Sequence, residues 1–119
     1  IAPLYSMLQT LAERGDRRPC WLIFAANREE SLTFRRELED LQTRLDLRIV
    51  YTLENPDADW EGEGGYVSEA MLRRHLREPY ARWQYFVCGP GAMLDAVERI
   101  LRGMGVPRAR MQSERFEMV

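Results

Sequence analysis

The residues best placed to do chemistry follow a short apolar run in the last third of the chain. Residues 85–88 are aromatic or apolar, as in a buried strand, and Gly89 and Pro90 then interrupt the run. Apolar residues from Met93 onward recur at helical spacing. In open α/β sheets, ligands bind just outside the carboxyl ends of such strands. The pattern predicts that Cys88, Gly89 and Pro90 face a ligand, because small residues let a flat ring approach the backbone.

Polar side chains follow the two other apolar runs that read as strands. Cys20–Ala26 is continuously apolar, typical of a strand covered on both faces, and Asn27 and Arg28 come next. Leu47–Leu53 is rich in β-branched and aromatic residues, and Glu54 closes it. The Arg28 guanidinium is a fork of donors with a fixed charge, which suits a phosphate. An Asn-Arg pair in a loop also fits a solvated arginine, so both interpretations of Arg28 stay open.

Helical patterns alternate with these strands. Pro3 suits a first turn, and the apolar spacing predicts a helix over residues 3–14. A second helix is predicted to carry Phe34 and Leu38 on one face, and Ser68 is a good N-cap for a third. A last strand is predicted over residues 109–116. The alternation predicts an α/β fold with three layers, α/β/α, and a parallel sheet between helices.

Composition and single residues exclude several classes of protein. The chain has 119 residues, enough for one domain, with a net charge of −2 and no basic stripe, so no nucleic-acid partner is expected. His75 lies mid-helix with no triad partner nearby and is predicted to pack or to lie at the surface. Asp57 and Asp59 imitate the start of a calcium loop, but Ser68 stands where a bidentate Glu is needed. No metal site is predicted.

The ends of the chain and its cysteines suggest a context. The chain begins Ile-Ala-Pro without Met, so we expect a fragment of a longer protein. Cys20 and Cys88 both fall in predicted parallel strands, which favours free thiols in a reduced compartment. The expected location is the cytoplasm or the cytoplasmic face of the inner membrane. No apolar run approaches the roughly 20 residues that span a bilayer, so membrane association would require transmembrane helices upstream of Ile1.

The pattern Cys-Gly-Pro-x-x-Met over residues 88–93, after an aromatic-aliphatic strand, resembles the signature of the ferredoxin–NAD(P) reductase superfamily. Ala2 and Pro3 are similar to the end of its Gly-x-Gly-x-x-Pro turn, with Ala2 where many members have Thr or Ser. The resemblance implies a doubly wound parallel sheet of about five strands in the order 3-2-1-4-5. The first strand would be missing from this chain, so the strands at 20–26 and 85–88 should flank an empty position, roughly 10 Å apart.

Residues 52–67 are similar to the pattern of NADH-using members of that superfamily, with an acid after Thr-Leu and then Trp-x-Gly and Gly-Tyr-Val. Members that use NADPH carry Ser-Arg where this chain has Glu54 and Asn55. The resemblance therefore implies that NADH is preferred over NADPH. Glu54 would bind the adenosine ribose hydroxyls and Tyr66 would pack beside the adenine, while Asn27 and Arg28 would hold ribose and phosphate.

The end of the chain resembles the superfamily as well, because Glu-x-aromatic recurs there as Glu114 and Phe116. By this resemblance Cys88 would touch the nicotinamide edge, Glu114 would orient the nicotinamide or relay a proton, and Phe116 would cover the flavin. Three residues follow Phe116, which departs from the family pattern. The remaining residues assigned to cofactor binding are Ala2, Pro3, Gly89, Pro90 and Met93.

The resemblance covers essentially the whole chain and implies the pyridine-nucleotide-binding domain of a flavin reductase, over residues 1–119. An FAD-binding β-barrel domain would precede residue 1. Hydride would pass from NADH to FAD, and electrons would continue singly to an iron–sulfur protein, a haem or ferric iron. Two alternatives stay open: the cytoplasmic domain of a membrane ferric or haem reductase, and a nucleotide-binding module without a redox role.

Overall fold

A computed structural model describes residues 1–116, and its centre is the apolar run near the start of the chain. Cys20–Ala26 forms strand β1, in which every residue is buried. The elements in chain order are α1 (Ala2–Glu13), β1 (Cys20–Ala26), α2 (Arg35–Leu41), β2 (Leu47–Leu53), β3 (Glu63–Gly64), α3 (Glu69–His75), β4 (Gln84–Gly89), α4 (Gly91–Gly103) and β5 (Met111–Arg115). Single 3-10 turns lie at Glu29–Ser31, Tyr80–Arg82 and Arg108–Arg110.

The five strands form one parallel sheet in the order β3-β2-β1-β4-β5. This confirms the predicted three-layer fold and the 3-2-1-4-5 order. The strand in the outermost position beside β2 is the two-residue β3, which the sequence did not predict as a strand. The central position belongs to β1, so the order is completed by strands of this chain.

The prediction of an empty position between the strands at 20–26 and 85–88 is therefore wrong. Strand β1 pairs directly with β4, with Cys20 opposite Gln84 and Phe24 opposite Cys88. Backbone groups left unpaired inside a core are strongly unfavourable, and direct pairing satisfies the facing edges of both strands. The last strand is also shorter than predicted, since β5 covers Met111–Arg115 rather than residues 109–116.

The side chains of β1 alternate between two separate cores, as the two-residue period of a strand requires. Leu22 and Phe24 pack on the face covered by α1 and α2, together with Leu8 and Leu38. On the opposite face, the core includes Trp21 and Ile23 of β1, with residues of α3 and α4. Because both faces are covered, a continuous apolar run is the natural sequence for this strand.

The helix boundaries agree with the sequence at two places and differ at a third. Helix α1 begins at Ala2 and ends at Glu13, before Gly15 at φ +68°, close to the predicted 3–14. The Ser68 hydroxyl accepts a hydrogen bond from Met71 N at 3.1 Å, which confirms the N-cap. The prediction that Phe34 lies on the apolar face of α2 is wrong. The residue precedes the helix at φ +60°, is 38% exposed, and contacts the Tyr5 ring instead.

Both cysteines are buried and free. Cys20 lies opposite Gln84, whereas Cys88 lies opposite Phe24, so about 13 Å of strand separates them. A disulfide requires Cα atoms within about 7 Å, which this register rules out. Within residues 1–116, no helix combines the length and apolar character needed to cross a bilayer.

Candidate functional site

The carboxyl ends of four parallel strands meet along one rim of the molecule. Strand β2 leads into Glu54, β1 into Asn27 and Arg28, β4 ends at Gly89, and β5 leads into Phe116. The order of the strands fixes the order of these residues, because β2, β1, β4 and β5 are consecutive neighbours. The polar residues predicted for one ligand therefore lie at one end of the rim and the apolar ones at the other.

Cys88 lies in the apolar half of the rim, where three elements meet. Its side chain is fully buried between Phe24 of β1 and Glu114 of β5 in the strand register. Burial raises the pKa of the Cys88 thiol to about 11. At neutral pH the group is therefore a neutral thiol, which suits an apolar contact and excludes a thiolate nucleophile.

Gly89 brings β4 unusually close to β1. A Cβ atom at this position would lie 3.0 Å from the Ala25 Cβ and 3.1 Å from the Ala25 carbonyl oxygen. The neighbouring atoms belong to the central strand, so they have little freedom to move away. Glycine at this point is thus required by packing between strands, in addition to any approach by a ligand.

Glu114 connects the last strand to the first helix. Its carboxylate accepts a hydrogen bond from Leu4 N at 3.2 Å. A carboxylate at a helix N-terminus satisfies amide groups that have no partner within the helix and complements the helix dipole. Glu114 therefore fixes the start of α1, where Ala2 and Pro3 lie exposed.

Phe116 closes the same end of the rim. Its amide donates to the Gly89 carbonyl oxygen at 3.1 Å, and its half-buried ring lies 6.2 Å from the Phe24 ring in an edge-on arrangement. Pro90 is the N-cap of α4, and Met93 in the first turn is only 7% exposed. The structure thus brings the predicted nicotinamide-side residues together around the end of β4.

The polar half of the rim is held by backbone pairing that continues beyond β1 and β2. Glu54 N donates to the Ala26 carbonyl oxygen, and Asn55 N to that of Asn27, both at 2.9 Å. The Asn55 side-chain amide donates to Asn27 Oδ1 at 2.5 Å. The side chains of Glu54 and Arg28 are exposed. Both interpretations of Arg28, as a phosphate ligand and as a solvated residue, therefore remain open.

Tyr66 follows the short strand β3, and no packing holds its ring. Its side chain is 89% exposed. The preceding residue, Gly65, has a φ of +83° and turns the chain after β3. Gly65 N donates to the Leu53 carbonyl oxygen at 2.9 Å, which places Tyr66 just after the strand pairing that ends next to Glu54. Tyr66 is accessible to a ligand at the rim.

Sequence reasoning missed a cluster of charged residues around Glu63 of β3. Its carboxylate accepts from Arg74 Nη2 at 2.8 Å and lies 2.7 Å from His75 Nε2. Burial favours a raised pKa for Glu63, but the hydrogen bonds from Arg74 and His75 outweigh it and hold that pKa below its usual range. The prediction for His75 was incomplete, because its ring is a polar partner of Glu63. The sequence could not reveal this cluster, because the end of α3 lies beside β3 only in the folded chain.

One groove lies away from the rim. A groove of about 690 Å³ runs between α4 and β5 and is lined in part by Arg99, Arg102 and Arg108. It includes none of the residues assigned to the site from the sequence. Among residues 1–116, no group of three or more His, Cys, Asp or Glu side chains is arranged to hold a metal ion.

Comparisons with known proteins point to one family. A family model described as an oxidoreductase NAD-binding domain matches residues 1–99. An NADH-cytochrome b5 reductase 1 of Aspergillus terreus is 36% identical, over 100% of this chain and 43% of that protein. A ferredoxin–NADP reductase B of Sorangium cellulosum is 32% identical, over 98% of this chain and 50% of that protein.

A solved structure shares the fold as well. The crystal structure of the cytochrome b5 reductase domain of Ulva prolifera nitrate reductase superposes with a TM-score of 0.75 at 25% identity, over 94% of this chain and 44% of that one. The chain thus spans half or less of the length of these relatives.

Proposed function

Because the chain belongs to the oxidoreductase NAD-binding domain family, we propose that it is the nucleotide-binding half of a flavin-dependent reductase that uses NADH. The observation that carries the proposal is the order of residues along the rim. An acid follows β2, a cation follows β1, and a neutral thiol and an aromatic ring lie at β4 and β5. A dinucleotide has the same order of groups, from ribose hydroxyls through phosphates to a flat ring.

The residues at the rim fit such a ligand chemically. Exposed Glu54 offers an acceptor for ribose hydroxyls, and exposed Arg28 offers a phosphate partner that needs no rearrangement of the backbone. Adjacent strands lie about 4.8 Å apart, so β2 to β5 spans about 14 Å, a distance that an extended dinucleotide can cover. At the apolar end, buried Cys88 and half-buried Phe116 would help to exclude water from the place where a ring would lie.

We propose that the flavin is an FAD carried by a further domain of the same protein. Bound FAD would accept a hydride and release electrons one at a time. The part of this chain would be positional: the end of β4 at Cys88 and Gly89 would lie behind the ring, and Phe116, whose amide donates to the Gly89 carbonyl oxygen, would lie beside it. Glu114 would hold the start of α1 against this end of the rim, since its carboxylate is bonded to that helix N-terminus.

The electron acceptor is proposed as a protein with a haem or an iron–sulfur centre. The matching relatives are named for cytochrome b5 and for ferredoxin, both one-electron carriers.

Of these two relatives, one is named for NADH and the other for NADP, so the nucleotide preference of this chain must be inferred from its own residues. Exposed Glu54 favours NADH, because a 2′-phosphate would add about two negative charges beside it.

The proposal is tested by following flavin absorbance after mixing the full-length, FAD-loaded protein with NADH in the absence of oxygen. We expect complete bleaching of the flavin, followed by reoxidation when a one-electron acceptor such as ferricyanide is added. A flavin that stays oxidised in excess NADH and excess NADPH would contradict the proposal and favour a nucleotide-binding module without redox activity.

Replacing Cys88 with Ser is expected to slow flavin reduction about tenfold at saturating NADH, equivalent to about 1.4 kcal/mol in the barrier. The dissociation constant of NADH should change little, because a residue at the reacting ring acts mainly on the chemical step. Stopped-flow absorbance over a range of NADH concentrations separates the two quantities.

Cys20→Ser is the matched control for this substitution. Both cysteines are buried in β strands, and burial raises the pKa of each to about 11, but Cys20 lies at the opposite end of the sheet. The control should alter stability as much as Cys88→Ser and leave the limiting rate unchanged. Equal rates in the two variants would show that Cys88 is only a core residue.

A further inference from the structure

The cluster around Glu63 ties the edge of the sheet to the end of a helix. Glu63 lies on β3, and its two carboxylate oxygens are engaged separately, one by Arg74 and the other by His75. Its side chain is 20% exposed, whereas those of Arg74 and His75 are 58% and 37% exposed. The carboxylate is thus the least accessible member of the cluster and the point at which the interactions converge.

The strand that Glu63 belongs to is short. Its two residues pair only with Thr52 and Leu53 at the end of β2. One further hydrogen bond reaches it, from Trp60 Nε1 to the Glu63 carbonyl oxygen at 2.9 Å. Two-stranded pairing of this length is weak by itself. The side chain of Glu63 therefore adds a connection to the end of α3, besides the packing of Trp60 against the core, for residues 60–65.

The same side chain closes a loop around Tyr66. Upstream of Tyr66, Gly65 is bonded to Leu53; downstream, Ser68 caps α3. Residues at the far end of that helix return to Glu63. The backbone of Tyr66 is consequently fixed from both sides, even though its ring is 89% exposed. A ring presented in this way loses little backbone freedom when a ligand stacks on it.

We propose that Glu63, with Arg74 and His75, positions Tyr66 beside Glu54 and thereby sets the affinity for the adenosine half of the dinucleotide. The inference rests on the proposed function and adds to it a group of positioning residues that do not touch the ligand. In the proposed function the reacting ring would lie at the other end of the rim, at β4 and β5, so the rate of the chemical step should not depend on this cluster.

Glu63→Gln tests the proposal, because it keeps the shape of the side chain and removes its charge. In the full-length flavoprotein, we expect KM for NADH to rise about tenfold while kcat stays within twofold of wild type. Reduced nicotinamide mononucleotide lacks the adenosine half, so its kcat/KM should be the same in the variant and in wild type. Hydrogen exchange should become faster at the amides of residues 64–67.

Neighbouring arginines on α3 provide the matched control. Arg74→Gln should reproduce the rise in KM, whereas Arg73→Gln should not, since Arg73 pairs with Glu69 on its own helix at 2.8 Å. An unchanged KM in Glu63→Gln would overturn the inference, as would equal losses with NADH and the mononucleotide. Failure of wild type to reduce its flavin with NADH would instead refute the proposed function, and the inference with it.

Discussion

In the full-length flavoprotein, Glu54→Gln is expected to raise the ratio of kcat/KM for NADPH to that for NADH about tenfold. The 2′-phosphate of NADPH carries nearly two negative charges, and in the proposed binding mode the carboxylate at the end of β2 would repel it. Juxtaposed like charges typically disfavour binding by about 1–3 kcal/mol, or roughly ten- to a hundredfold. The lower end applies here because Glu54 is exposed and water screens its charge.

Salt and a second acid serve as controls for this prediction. The preference of wild type for NADH should weaken as ionic strength rises, whereas that of Glu54→Gln should change less. Glu61→Gln removes another exposed carboxylate, one that follows Glu54 later in the same loop, and should leave the preference unchanged. Wild type that turns over both nucleotides equally would contradict the assignment of Glu54.

Gly89→Val is expected to lower the free energy of unfolding by about 3 kcal/mol, toward the upper end for overpacked sites. The first added atom would already lie 3.0 Å from the Ala25 Cβ, and two methyl groups extend beyond it. Both strands are buried and hydrogen-bonded to neighbours on either side, so neither can shift without disturbing the sheet. Urea denaturation followed by circular dichroism measures the change.

Two further variants separate steric overlap from the general effect of replacing glycine. At Gly103 an added Cβ meets nothing within 4 Å, and the residue lies in α4, so Gly103→Ala should stabilise the protein by about 0.5–1 kcal/mol. Ala25→Gly removes one of the two close contacts and should recover part of the loss in Gly89→Val. A Gly89→Val protein as stable as wild type would show that the strands can separate freely.

The strands were predictable because their sequences meet the demand of a sheet covered on both faces. Cys20–Ala26 and Leu47–Leu53 are found with the predicted bounds. A short apolar run between polar residues is typical of a buried strand, because it is too short for most helices. The residues that follow the carboxyl ends of these runs were therefore predicted correctly as parts of the rim. Parallel pairing brings such ends together whatever the loops between them do.

Interactions between distant segments account for what the sequence did not reveal. Phe34 fits the helical period of α2, but its φ of +60° places it before the helix, and Tyr5 provides an alternative partner. The Glu63 cluster joins β3 to the end of α3, two segments that each look like ordinary charged surface. The direct pairing of β1 with β4 was also unforeseen, because family resemblance argued for a strand between them.

The central place of β1 in the sheet bears on how the chain is made. One edge of β1 pairs with β2, the next strand in the chain. The other edge can pair only after β4, which begins at Gln84, has been synthesised. At about 5–20 residues per second, ribosomes need several seconds to cover that interval. During this time a flat, apolar strand has one unpaired edge, the feature that most favours association between chains. We therefore expect chaperone capture during synthesis to end when β4 leaves the ribosome and pairs with β1.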